Sequence, residues 1–177
     1  MSEAVNRVVV WSARLSIASL LLAVVTTVVV ARVPQSRRWL GLTPQPAYAA
    51  GQSIDVPQSV YRGSRRTVII FVQDWCEACR KAKPIFAELS RNISTIEGVR
   101  MVLVPPGGYS AEEIRYAQDI GLAATAVEHL RGEAVRVQIV PTLVVVDNTG
   151  QILFAHVGVP RQGEERAFLR ATLRSLS

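Results

Sequence analysis

Runs of apolar residues alternate along the chain with amphipathic and polar stretches, and their periods predict an α/β domain. Val68-Ile69-Ile70-Phe71-Val72 is β-branched and aromatic without a helical period, so it reads as a strand, near Thr67 to Gln73, buried on both faces. A helix is predicted from about Cys76 to Asn92, with Pro84 inside it. The next apolar run, Val99 to Val104, then becomes a parallel neighbour of the first strand, because a helix lies between the two. Pro105-Pro106-Gly107-Gly108 stops that strand. Ser110-Ala111-Glu112-Glu113 forms a capping box with Ser110 as N-cap, and Gly121 stands where a glycine ends such a helix. Leu143 to Val146 and Gln151 to Val157 flank the polar Asn148-Thr149-Gly150, the pattern of an antiparallel hairpin, with His156 expected to point outward. Phe168, Leu169, Leu173 and Leu176 recur at helical spacing, so Glu164 to Leu176 is an amphipathic cover for the sheet. Leu122 to Val137 has no readable pattern, and His129 within it is expected at the surface.

The excess of hydrophobicity sits at the other end. Leu15 to Ala31 carries no charge and corresponds to about 25 Å of helix. The expected organisation is a membrane anchor over 1–33 with a transmembrane helix at about 12–31, a proline-containing linker over 34–58, and a folded domain over 59–177. A cleaved signal peptide competes with the anchor, since Ala47-Tyr48-Ala49 is an A-x-A site, but that site lies far beyond the apolar run. The net charge of +6 divides into +4 over residues 1–50 and +2 over 51–177. A nearly balanced domain argues against a nucleic-acid partner, and the basic flank belongs with lipid headgroups. Arg7 and Arg14 precede the apolar run and Arg32, Arg37 and Arg38 follow it, so the positive-inside count slightly favours a cytoplasmic domain.

Candidate chemistry concentrates in Trp75-Cys76-Glu77-Ala78-Cys79, which holds the only two cysteines of the chain. At the start of a helix, unpaired N–H groups and the macrodipole favour a thiolate at Cys76, while Cys79 lies a turn further in and more shielded. Cys76 is therefore the candidate nucleophile and Cys79 the candidate resolving thiol of a dithiol-disulfide cycle. A C-x-x-C pair can also be half of a zinc site, but His129 and His156 lack ligand spacing; two buried structural cysteines are the other alternative. No metal ligands and no cofactor beyond the cysteine pair are expected. Glu77 and Ala78, between the cysteines, are candidate tuning residues, and Trp75 is either a core residue or a substrate contact.

Four features in order resemble the thioredoxin superfamily, and more closely its membrane-anchored TlpA/ResA type. They are Asp74-Trp75-Cys76-Glu77-Ala78-Cys79-Arg80, Pro84 within the following helix, Val140-Pro141-Thr142 before an apolar run, and Asp147-Asn148-Thr149-Gly150 leading to Gly158. The resemblance implies a central mixed β-sheet flanked by helices and a cis Pro141 facing the cysteines, with Trp75, Val140 and Pro141 contacting substrate. By residue type alone an X-Pro bond is cis only about one time in twenty, and Pro141 would be a trans proline opening an edge strand, so the cis form rests on the resemblance. Two departures stand out: the buried aspartate of thioredoxins is replaced by Ile70, and the glutamate frequent in the TlpA/ResA type by Ala82. Neither expected proton acceptor for Cys79 is present.

The expectation is a membrane-tethered thiol-disulfide oxidoreductase reducing disulfides in extracytoplasmic proteins, of the cytochrome c maturation or copper-site assembly kind. Its partners would be protein disulfides or thiols and a transmembrane thiol-electron donor. The alternatives are a thiol metallochaperone or assembly factor that uses the same surface for docking, a disulfide oxidase, and an anchored thioredoxin facing the cytoplasm.

Overall fold

A computed structural model describes residues 48–107, 110–128, 130 and 135–177. The expected transmembrane helix at 12–31, the linker up to residue 47 and His129 lie outside them. Among the described residues, no helix is long and apolar enough to cross a membrane.

Four strands form one mixed sheet in the order β2-β1-β3-β4: β1 (Arg66–Phe71), β2 (Val99–Val104), β3 (Thr142–Asp147) and β4 (Ile152–Val157). β1 and β2 run parallel, joined through α1 (Glu77–Ile93); β1 pairs antiparallel with β3, and β3 with β4. This is the mixed sheet the apolar runs imply. β1 ends two residues before the expected Gln73, and α1 starts at Glu77 because Cys76 has extended backbone and serves as its N-cap. α2 (Ala111–Asp119) begins in the complete Ser110/Glu113 capping box, and Gly121 follows it with φ +81°, a left-handed conformation that glycine adopts without strain. α3 (Glu165–Arg174) closes the chain.

Alternation along β1 divides the interior into two cores, since successive side chains point to opposite faces. Val68 and Ile70 join Met101, Leu103, Leu143 and Val145 beneath the apolar faces of α1, α2 and α3. Ile69 and Phe71 join Val102, Val104, Val144 and Val146 on the other face. The cover of that second face was expected to be linker. Tyr48, Ile54 and Val56 are buried there together with Val60 and Tyr61. Backbone bonds from Gly51 N–H to the Ile152 carbonyl, from Ile54 N–H to the Gly150 carbonyl and from Ile152 N–H to the Gln52 carbonyl lace this segment to the hairpin. From Tyr48 onward, therefore, the stretch assigned to a 34–58 linker is part of the domain, because an otherwise bare apolar sheet face needs covering. Asp55 ties it to the segment before β3: Tyr48 donates its hydroxyl to Asp55 at 2.5 Å, and Arg136 donates its backbone and Nε hydrogens to the same carboxylate.

His156 does not point freely outward. It is half-buried, packed edge-on to Phe168 of α3 with ring centroids 4.8 Å apart, and its Nε2 is buried without a hydrogen-bond partner. Burial pushes its pKa below the ordinary histidine range, opposed by the charge of Glu164. With the folded pKa depressed, the unfolded chain binds the proton more readily. The stability contributed is complete above the unfolded value of about 6.5, begins to fall there, and is lost as pH falls through the depressed folded value. Urea midpoints at pH 7.5 and 5.5 are expected to fall less for His156→Leu than for wild type; equal falls would refute this.

Candidate active site

Cys76 and Cys79 are joined as a disulfide, with Cα atoms 5.2 Å apart. The local sequence explains the placement. β1 delivers the chain to the sheet end at Phe71, Gln73 accepts from Cys76 N–H in a tight turn, and Arg80 N–H returns to the Cys76 carbonyl as the first bond of α1. That geometry aims the Cys79 N–H at Cys76 Sγ, 3.0 Å away. Cys76 is 6% exposed and Cys79 is fully buried, so solvent and partners reach the pair from the Cys76 side.

Opposite stands the turn before β3. Val140-Pro141 is a cis peptide bond, and the Val140 carbonyl oxygen lies 3.5 Å from Cys76 Sγ. Thr142 donates its hydroxyl to the Ile139 carbonyl, and Gly158 N–H bonds the Pro141 carbonyl, which ties the turn to the end of β4. Trp75 is 71% exposed and Ile139 41%, the two large exposed hydrophobic residues among those described. They flank the two chain segments that meet at Cys76 Sγ. At 71% exposure Trp75 is not a core residue.

Glu77 is exposed and hydrogen-bonded to Arg80, with Lys81 3.7 Å away; the Arg80 contact chiefly holds its carboxyl below the ordinary range. Its charge is thus largely met by neighbours rather than directed at Cys76. Ala78 is half-buried against the α1 core. Ile70 and Ala82 are both fully buried and apolar, so the two positions that hold acids in the resembling proteins offer no proton acceptor. Among the described residues no group of three histidine, cysteine or acidic side chains is arranged to hold a metal.

Sequence reasoning missed two further contacts. Glu113, 4% exposed, accepts from Asp74 N–H through Oε1 at 3.1 Å, besides closing its own capping box. Tyr116, one turn on, donates its hydroxyl to the Cys79 carbonyl at 2.8 Å in a buried bond. The S-x-x-E pattern announces a helix start but carries no sign of what else its glutamate reaches. Ile139 was equally silent, being one apolar residue before a turn.

A mixed sheet that presents a buried C-x-x-C disulfide at a helix start, faced by a cis-proline turn, defines the class of thiol-disulfide oxidoreductases. The model of the thioredoxin-like domain family matches residues 58–173, and the chain belongs to that family. Among solved structures, a candidate thiol:disulfide interchange protein DsbE from Chlorobium tepidum is 20% identical, aligned over 73% of this chain and 100% of its own, with TM-score 0.54. A thioredoxin family thiol:disulfide interchange protein from Chlorobium tepidum TLS is 18% identical over 76% of this chain and 98% of its own, with TM-score 0.52. A candidate protein disulfide isomerase from Bacteroides thetaiotaomicron is 17% identical over 75% and 90%, with TM-score 0.51. At these identities the likeness is one of fold. No curated protein sequence matches the chain.

Proposed function

We propose that the protein is a membrane-tethered reductase of disulfides in extracytoplasmic proteins, acting through Cys76 and Cys79. The observation that carries the chemistry is the Cys79 N–H directed at Cys76 Sγ at the start of α1, which favours a thiolate there once the pair is reduced. In the forward half-cycle the Cys76 thiolate attacks one sulfur of a substrate disulfide. The substrate S–S bond breaks and its leaving sulfur takes a proton. Cys79 then gives up its proton and attacks Cys76 Sγ, which releases the second substrate thiol and leaves the Cys76–Cys79 disulfide. Two electrons and two protons pass to the substrate, and a transmembrane thiol donor restores the pair.

Val140 and Pro141 present the backbone edge along which an extended substrate segment would lie, with Trp75 and Ile139 as apolar rim. Trp75→Ala is expected to raise KM for a protein disulfide about tenfold while leaving alkylation of Cys76 by iodoacetamide unchanged. Equal loss in both would place Trp75 in maintenance of the motif instead. The uncharged run at Leu15 to Ala31 supports the tether. Resemblance to the TlpA/ResA type, against the thin arginine margin, supports an extracytoplasmic domain, where apocytochrome c thiols or copper-site cysteines would be substrates.

Direction of transfer is set by reduction potential. Equilibration of the full-length protein with glutathione is expected to give a value below about −200 mV, that of a reductase; a value near about −120 mV, as in DsbA, would make it an oxidase. Membrane-impermeant thiol labelling of intact cells tests the compartment, with Cys76 reactive from outside the cytoplasmic membrane if the proposal holds.

A further inference from the structure

Two hydrogen bonds, one buried and one part-buried, join α2 to the two sides of the cysteine motif, and no part of the exchange cycle above uses them. Glu113 takes the Asp74 N–H two residues before Cys76, and Tyr116 gives its hydroxyl to the Cys79 carbonyl. The two residues stand three apart on α2, hence on one face of it. We infer that Glu113 and Tyr116 are positioning residues that clamp the Asp74–Cys79 segment and thereby hold the Cys79 N–H on Cys76 Sγ. The inference rests on the reading of Cys76 as the exchange nucleophile.

The buried Tyr116–Cys79 bond and the 4% exposure of Glu113 distinguish these contacts from the ion pairs around them. A cleft of about 350 Å³ between α1 and α2 carries Arg80, Lys83 and Arg115 against Asp74, Glu112 and Asp119. Lys83 pairs with Asp119 and Arg115 with Glu112, both pairs partly or largely exposed to solvent. The capping box alone does not require Glu113 to reach Asp74, because Oε2 is the atom that meets Ser110 while Oε1 is turned to the motif. Burial, with the charge of Asp119 adding to it, pushes the Tyr116 phenol far above its ordinary pKa, so the hydroxyl keeps its proton and remains a donor throughout the working range. With Ile70 and Ala82 apolar, no acid at either position acts on the pair, and the Cys79 amide is the hydrogen-bond donor the fold sets directly on Cys76 Sγ.

The test uses the full-length reduced protein in mild detergent and reads the pH profile of Cys76 alkylation by iodoacetamide, with urea midpoints alongside. Glu113→Ala and Tyr116→Phe are each expected to slow alkylation at neutral pH about threefold or more and to move the profile to higher pH. Glu113→Gln offers one acceptor oxygen where the carboxylate serves both Asp74 N–H and Ser110 N–H, and is expected to shift the profile less than Glu113→Ala does. Ser110→Ala removes the cap hydroxyl and is expected to lower the urea midpoint without moving the profile. An unmoved profile in Tyr116→Phe, whose ring packing is retained, overturns the clamp even if Glu113→Ala fails to fold. Alkylation is read without turnover, so failure of the clamp is distinguishable from failure of the oxidoreductase reading, which would appear as wild-type protein unable to reduce insulin.

Discussion

Replacing Cys76 by serine is expected to lower insulin disulfide reduction by about a thousandfold or more, the largest effect of any single substitution in this protein. A serine hydroxyl is not ionised at neutral pH, and the amide of Cys79 and the α1 N-terminus cannot make it so. Cys79 cannot take over the attack, because it is fully buried behind Cys76. The Cys79→Ser variant differs in kind: its Cys76 thiolate still attacks, but nothing releases the substrate, so one equivalent reacts and turnover stops. A docking protein or metallochaperone built on the same surface would show little activity in wild type and no such contrast between the two variants.

Tyr48→Ala is expected to cost about 3 to 5 kcal/mol of domain stability, measured by urea unfolding. The ring is 1% exposed and stacked on Phe71 at 5.4 Å between centroids, and its hydroxyl bonds Asp55. Truncation opens a cavity over the second face of the sheet and leaves the Asp55 carboxylate with Arg136 alone. A chain beginning at residue 59 would lose Tyr48, Ile54 and Val56 together and is expected not to fold, whereas one beginning at residue 46 should. A neutral Tyr48→Ala would return this segment to the role of tether that its composition suggests.

That composition is what misled the reading of residues 48–58. Prolines and scattered polar residues describe a segment without internal periodicity, yet Tyr48, Ile54 and Val56 need no period of their own, because the sheet supplies the regular surface on which they pack. Strands β1 and β2, the α2 capping box and the β3–β4 hairpin were legible because each carries a local signal: a β-branched run, an S-x-x-E start, a polar turn between apolar runs. Cys76 and Cys79 were legible for the same reason. The cis Pro141 came from resemblance, and the approach of Val140 to Cys76 brings together residues 64 positions apart, which no local pattern encodes. Glu113 has the capping role its pattern announces and His156 lies in the hairpin, but contact with Asp74 and Phe168 gives each a second role that no local pattern encodes, and it is this contact that keeps His156 from pointing freely outward.

The central claim is that Cys76 attacks protein disulfides and Cys79 releases them. The most direct measurement is expression of the Cys79→Ser variant in the native host, with mixed disulfides captured by acid quench and separated on non-reducing gels. A protein partner held through Cys76, released by reductant and absent from the Cys76→Ser/Cys79→Ser double variant, is the expected result. No accumulated mixed disulfide, in cells where the variant is folded and present, would contradict it.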